Sequence, residues 1–198
     1  VFGVKTDSPF KSMKDLVDAA KANPGKIKAG PAGIQAPGDF TVRMLQNVAG
    51  VKFAIVNFDS SAPAVTALLG GFVDFGVQPI ASFTSQVKSG QVRLIGLADD
   101  KESPFLPGVP TLASQGYPVS MSTAGGIAAP PGTPVEIQQI VEAALKKAIN
   151  SDEHMAKTKE ALINVRYMNQ AEMKAFWADM ETKVKPLLDE YAKEQPKK

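Results

Sequence analysis

One stretch of the chain is the most informative about its fold, and it reads Ile27-Lys28-Ala29-Gly30-Pro31-Ala32-Gly33-Ile34-Gln35-Ala36-Pro37-Gly38. The first three residues predict a short strand, and the Gly- and Pro-rich remainder is too irregular for regular structure. An amphipathic helix is predicted next, because one face carries Phe40, Met44, Leu45 and Val48. A strand, a glycine-rich loop and a helix in this order are typical of α/β proteins.

The same alternation of apolar runs and amphipathic helices extends through the first half of the chain. Ser12 and Asp15 are spaced as a capping box for the helix after the first strand, and Ser60 or Ser61 is expected to cap a later one. Right-handed crossovers would place every strand-to-helix loop at one edge of a sheet. The pattern predicts an α/β fold with a mostly parallel sheet and helices on both faces. Strands are predicted at residues 1–4, 27–29, 51–56, 72–77 and 92–97.

The composition changes after residue 100, where prolines interrupt an irregular stretch. Thr133 is predicted to cap a helix that begins with Pro134. A short helix near residues 151–162 and a strand at residues 165–168 are expected after it.

Asn169 and Glu172 are spaced to cap the last helix of the chain. Its apolar stripe runs from Met173 to Tyr191 and includes Trp177. A stripe of that length must cover a substantial apolar surface or lie in an interface.

Composition excludes several classes of function. The 198 residues include 22 Lys and Arg against 20 Asp and Glu, a net charge of +2 that does not favour charge-driven nucleic-acid binding. Cysteine is absent, which excludes disulfides, thiol nucleophiles and thiolate metal sites. The single histidine, His154, lies in a charged stretch and is expected at the surface, so no nucleophile–base constellation of an enzyme is visible. We predict neither a metal nor a cofactor. Asp74, inside an apolar strand, could be a buried pairing partner or face a cleft.

Three loops of the predicted sheet carry candidate binding residues. Loop 30–38 precedes a helix whose first N–H groups and partial positive charge suit an anion. It matches neither the dinucleotide-binding nor the P-loop motif, so a phosphate is disfavoured and a carboxylate stays open; an ordinary turn is the alternative. The serines of loop 57–61 could bind a ligand, although helix capping alone would explain them. Gln78 could donate to a carboxylate or bond only to backbone.

These loops and several other stretches resemble the substrate-binding proteins of tripartite tricarboxylate transporters, the Bug family of periplasmic solute receptors. The matching pieces occur in the family's order and at its spacing from Val4 to the C-terminal helix. They are Asp7-Ser8-Pro9-Phe10-Lys11, residues 19–26, 33–37, 62–64 and 68–74, Leu106-Pro107-Gly108-Val109-Pro110-Thr111 and residues 128–134.

The resemblance implies a two-lobed periplasmic binding protein that closes on a small carboxylate and delivers it to the membrane subunits of a transporter. Residues 1–121 would form the second lobe, and residues 122–198 the crossover and C-terminal helices of the first lobe. The N-terminal segment of the first lobe is expected to lie outside this sequence, and a homodimer through the C-terminal helices would be one way to cover the stripe. The expected ligand-binding residues are Pro31, Ala32, Gly33, Gln35 and Ala36, with Asp59, Ser60, Ser61 and Gln78 beside them.

Two departures from the family pattern bear on the ligand. Members often carry Ser-x-Gly-x-Gly-Ser where this chain has Pro31, Gly33, Gln35 and Ala36, so backbone N–H groups or Gln35 would replace the lost hydroxyls. Asp59 stands where the family often has Lys, which favours an amino or neutral ligand group there. The alternative function is a stand-alone or dimeric ligand-sensing domain derived from such a receptor. A hydrolase or isomerase would lack its catalytic residues.

Overall fold

The computed structural model describes residues 1–194. Strands and helices alternate as far as residue 96, and three helices follow a long irregular stretch. The strands are β1 (Phe2–Lys5), β2 (Lys28–Pro31), β3 (Ala54–Ile55), β4 (Phe75–Val77) and β5 (Val92–Gly96). The helices are α1 (Met13–Ala22), α2 (Pro37–Ala49), α3 (Ser61–Leu69), α4 (Thr84–Lys88), α5 (Val135–Ile149), α6 (Asp152–Glu160) and α7 (Gln170–Glu194).

The strands form one mixed sheet in the order β3-β2-β4-β1-β5. β2 is parallel to β3 and to β4, whereas β1 is antiparallel to its neighbours β4 and β5. Four strands therefore share one direction, and β1 opposes them. The expectation that every strand-to-helix loop lies at one edge is wrong for β1, because a reversed strand ends at the opposite edge. The loop between β1 and α1 is thus remote from the loops that follow β2, β3 and β4.

Helices cover both faces of the sheet, as predicted. Phe2 and Phe75 point to one face, and successive strand residues alternate between faces, so Gly3 and Gly76 point to the other. A Cβ atom on either glycine would lie 2.9 Å from the ring of Phe83. Glycine is therefore what allows this buried ring to approach the strands. The first face is covered by α1 and α2, which contribute Met13, Leu16, Val17, Ala20, Val42 and Leu45.

Two helix starts form as predicted, because capping depends only on residues close together in the chain. Ser12 and Asp15 exchange bonds between side chain and backbone at the start of α1. Asn169 and Glu172 exchange the same pair of bonds before α7, each at 2.9 Å.

Two predictions for the C-terminal part are wrong. α5 begins at Val135 without a side-chain cap, and the Thr133 hydroxyl instead donates to the Pro130 carbonyl at 2.8 Å. Residues 165–168 form no strand, because they have no strand beside them to pair with. Tyr167 lies against α5 instead, and its hydroxyl donates to Glu142 at 2.9 Å.

The helices after residue 121 bury few side chains. α5 and α6 contain no buried residue. α7 reaches a core only near its end, where Leu187 and Tyr191 pack with Phe40 and Met121. Trp177, in the middle of the predicted stripe, is 55% exposed. Within residues 1–194, no helix is both long and apolar enough to cross a membrane.

Candidate functional site

The loops after β2 and β3 are joined by backbone hydrogen bonds. Ala32 and Phe58 form an isolated parallel bridge that extends the pairing of these two strands. The Gly33 N–H donates to the Phe58 carbonyl at 2.6 Å, and the Phe58 N–H donates to the Pro31 carbonyl at 3.3 Å. Parallel strands end at the same edge, so the first two predicted loops lie side by side, as expected from the sequence.

Gln78 brings the end of β4 to the same place. Its Nε2 donates to the Gly30 carbonyl at 3.0 Å, and the residue is only 3% exposed. Gln78 was predicted either to donate to a carboxylate or to bond only to backbone, and its amide nitrogen bonds to backbone. Gln78 Oε1 is buried with no hydrogen-bond partner in the described chain. The side chain therefore bridges two strand ends and keeps one acceptor without a partner.

The start of α2 also lies at this junction. Ala36 is the N-cap residue and Pro37 follows it, and no side chain caps this helix. A Cβ atom on Gly38 would lie 2.7 Å from the Val77 carbonyl oxygen, so glycine allows the first turn of α2 to touch the end of β4. The N–H groups of Gly38 and Asp39 have no partner in the described chain. Unpaired N–H groups and the positive end of the helix dipole are suited to an anion.

The serines of the second loop do not cap α3 as expected. Ser60 occupies the N-cap position, but its hydroxyl makes no capping bond. Ser61 is half-buried, while Asp59 and Ser60 are exposed. Ordinary helix capping therefore does not account for these hydroxyls.

Two residues at the junction were not among the predicted binding residues. Asn57 Oδ1 is buried with no partner in the described chain, at the end of β3. Asp39 is fully buried, and its Oδ2 accepts the Gln35 N–H at 3.0 Å. An acid in the first turn of a helix after a loop is a capping signal that could have identified Asp39. Asp74, for which the sequence allowed either a buried pairing role or a place facing a cleft, is half-buried and accepts the Lys28 N–H at 2.7 Å.

A groove of about 650 Å³ lies beside the junction, along β3 and α3. None of the predicted binding residues lines it. Phe72 on its wall is 72% exposed, and Lys28 supplies its cationic group. Its other lining residues are Val56, Phe58, Pro63, Thr66 and Ala67.

Residues 1–194 contain no cluster of three or more His, Cys, Asp or Glu side chains that could hold a metal ion. His154 is half-buried in the first turn of α6, and Ser151 caps that helix by accepting its N–H at 3.3 Å. His154 is therefore partly exposed, in keeping with its predicted place at the surface.

A mixed sheet whose neighbouring strands end in joined loops beside an uncapped helix start is an α/β fold of the periplasmic-binding-protein type. Residues 1–192 match the family described as tripartite tricarboxylate transporter family receptor. The chain belongs to this family.

Individual relatives agree with the family assignment. The chain is 31% identical over 186 residues to the UPF0065 protein in gbd 5'region of Cupriavidus necator, a match that covers 94% of this chain and 57% of that protein. Two further curated relatives are covered over 45% and 42% of their length, so the chain spans about half the length of the relatives it matches.

Solved structures show the same fold. The periplasmic binding protein BugD is 27% identical, with a TM-score of 0.74 over 97% of this chain and 64% of that one. An R. palustris protein solved with adipate has a TM-score of 0.79 at 22% identity, covering 93% of this chain and 64% of that one. MatC of Rhodopseudomonas palustris, solved with bound malate, has a TM-score of 0.72 at 21% identity, covering 96% and 65%. The likeness confirms the α/β receptor fold.

Proposed function

We propose that this chain is part of an extracytoplasmic receptor that binds a small carboxylate where β2, β3 and β4 end. The observation that carries the proposal is the uncapped start of α2, whose Gly38 and Asp39 N–H groups have no partner in the described chain. A carboxylate there would accept these bonds and meet the positive end of the helix. The proposed contact residues are Pro31, Ala32, Gly33, Gln35 and Ala36, with Asp59, Ser60, Ser61 and Gln78 beside them.

The ligand class is supported by chemistry and by the relatives. Two receptors of the same fold were solved with adipate and with malate, both small dicarboxylates. In this chain the junction also holds the buried amide oxygens of Asn57 and Gln78, which accept and cannot donate. A ligand with a hydroxyl or amino group beside its carboxylate would suit both kinds of group.

The family description supports the further steps of the proposal. Residues 1–121 would form one lobe and residues 122–198 part of the other, and the ligand would stabilise their closed arrangement. The closed, loaded receptor would then deliver its ligand in the periplasm to the membrane subunits of a tripartite transporter.

Calorimetry with adipate and with malate tests the binding step. Ala36→Asp would place a carboxylate at the N-cap of α2, where it would satisfy the N–H groups and repel an anion. We expect this variant to weaken binding at least ~10-fold, because one lost charge-assisted interaction is worth about 1.5–3 kcal/mol. Since an N-cap Asp is favourable, the variant is expected to remain folded.

Pro134→Asp is the matched control, because it introduces the same residue at the N-cap of α5, outside the proposed site. Its affinity should equal that of the original chain. Native mass spectrometry of the purified chain gives the subunit count and any retained small acid together. A chain that retains no acid and binds neither adipate nor malate would contradict the proposal.

An apolar surface favours a second candidate function, a dimeric ligand-sensing domain. Ile137, Ile140 and Val141 on α5 are 50%, 69% and 41% exposed, and Trp177 on α7 is 55% exposed. Apolar surface of this kind marks an interaction site, and a second copy would cover it. Light scattering at high concentration tests this candidate, and a monomer there would contradict it.

A further inference from the structure

Gln35 has a backbone conformation that needs support. Its φ of 56° lies in the left-handed region, which only Leu162 shares among the non-glycine residues of the described chain. A residue with a Cβ atom adopts this conformation where the surrounding contacts hold it there. Gln35 lies in the loop between β2 and α2, so whatever holds it also shapes the proposed anion site.

The carboxylate of Asp39 holds Gln35 from one side. Its Oδ2 accepts the Gln35 N–H at 3.0 Å, and its Oδ1 lies 3.3 Å from the Nε of Arg43. The Asp39 side chain is fully buried. Since an uncompensated charge is costly inside a protein, the pairing with Arg43 is needed to keep this carboxylate in place.

Arg43 connects this carboxylate to the other end of the chain. Its guanidinium carbon lies 3.9 Å from the centre of the Tyr191 ring on α7. Tyr191 is buried and meets Phe40 edge to face, with 6.3 Å between ring centres. A guanidinium stacks favourably on an aromatic face, so the docked end of α7 fixes the position of the Arg43 side chain.

We propose that Asp39, Arg43 and Tyr191 are positioning residues, through which the docked end of α7 sets the conformation of the loop at Gln35. The effect on the loop needs no ligand, and only its consequence for affinity rests on the proposed function. Tyr191 lies in the part of the chain predicted to belong to the other lobe. A displacement of α7 would therefore release Arg43, then Asp39, and alter the anion loop.

Amide hydrogen exchange in the 198-residue chain tests the relay. The bond to Asp39 protects the Gln35 N–H, so Tyr191→Leu and Asp39→Asn should each make its exchange at least about 10-fold faster. The Asp15 N–H, which donates to the Ser12 hydroxyl on α1, is the internal reference and should stay within about twofold. A purely structural effect of the substitutions would raise both rates together.

Further variants separate the relay from loss of folding. Tyr191→Phe keeps the ring, and the Tyr191 hydroxyl has no partner in the described chain, so Gln35 exchange should not change. Arg43→Lys keeps the charge but loses the planar group, and it should act as Tyr191→Leu does. Tyr167→Leu is the matched control, because it removes a ring from a second cation–ring pair. The Lys146 ammonium lies 5.5 Å from the centre of the Tyr167 ring, and this pair does not reach α2.

Each of these results either supports or overturns the relay. Faster exchange confined to Gln35 and its loop supports the relay. Unchanged Gln35 exchange in Tyr191→Leu and Arg43→Lys, or an equal rise at Gln35 and Asp15, overturns it. Titration with adipate distinguishes this inference from the proposed function. If the original chain binds no adipate, the proposed function fails and the exchange result still stands. If Gln35 exchange rises in Tyr191→Leu while this variant and the original chain bind adipate equally, the relay stands and the proposed adipate site at this loop fails.

Discussion

Residues 1–121 and the helices that follow them differ in how they are held together. Residues 1–121 contain all the buried hydrophobic residues of the described chain except Leu187 and Tyr191, most of them in two clusters on opposite faces of the sheet. α5 and α6 bury none, and α7 contributes only Leu187 and Tyr191. Since burial of apolar surface is the main force in folding, the first region carries most of the stability. It also contains the loops of the proposed site. The second region presents apolar surface and reaches the loops through the end of α7.

The largest effect on stability is expected when one buried ring is removed from the first region. Phe75 is fully buried and lies 5.0 Å from the ring of Phe53 and 5.9 Å from that of Phe2. Phe75→Ala should lower the free energy of unfolding by about 3–5 kcal/mol, because it leaves a cavity among these rings. Urea denaturation measures this change.

Ile140→Ala on α5 is the matched variant in the second region. Ile140 is 69% exposed, so its truncation should change the free energy of unfolding by less than about 0.5 kcal/mol. Similar losses in the two variants would contradict the comparison, because they would mean that α5 is packed as tightly as the sheet.

The same division explains which features could be predicted from the sequence. The capping boxes at Ser12 and Asn169 depend on residues a few positions apart, and they form as predicted. Of the apolar face predicted for α2, Phe40 and Leu45 are buried, whereas Val48 is 45% exposed. The direction of β1 and the absence of a strand at 165–168 depend on partners distant in the chain. A single sequence does not contain that information in its local pattern.

Only part of the candidate site could likewise be predicted from the sequence. Its position after β2, β3 and β4 follows from the loops, and the structure brings Pro31, Phe58 and Gln78 together there. The ligand-contact roles of the predicted residues stay a prediction. The pairing of Asp39 with Arg43 and Tyr191 could not be predicted, because Tyr191 reaches α2 only through the fold.

The next prediction adds one methyl group in each region. A Cβ on Gly38 would lie 2.7 Å from the Val77 carbonyl oxygen, whereas a Cβ on Gly125 would have no heavy atom within 4 Å. Gly38→Ala should therefore lower the free energy of unfolding by about 1–3 kcal/mol, because α2 must move away from β4. Thermal unfolding measures this change as a lower midpoint temperature. Gly125→Ala should leave the midpoint unchanged. Equal midpoints for the two variants would show that the start of α2 is not tightly packed.

A smaller effect is expected from the two capping boxes. Ser12→Ala should lower the free energy of global unfolding by about 1 kcal/mol, since α1 folds with the core. Asn169→Ala removes the equivalent bond from α7, whose first turns contact little of the core. It should raise amide exchange in that first turn and leave global unfolding almost unchanged. A global loss equal to that of Ser12→Ala would contradict the independence of the start of α7 from the core.

The smallest expected effect is on the pH dependence of the first region. The backbone N–H of Lys11, with the hydroxyl and N–H of Ser12, holds the pKa of the Asp15 carboxyl below its ordinary value. A carboxyl whose pKa is lower in the folded state stabilises the fold fully above its unfolded pKa of about 4, and this contribution is lost as the pH falls through the folded value. Asp15→Asn should therefore reduce the fall in the free energy of unfolding at low pH, which is the acid limb of the stability curve. Glu172→Gln, the same change in the α7 box, should leave that limb of global unfolding as it is, because the start of α7 opens independently of the core. Parallel curves for the original chain and Asp15→Asn from pH 5 to about pH 2 would contradict the role of Asp15.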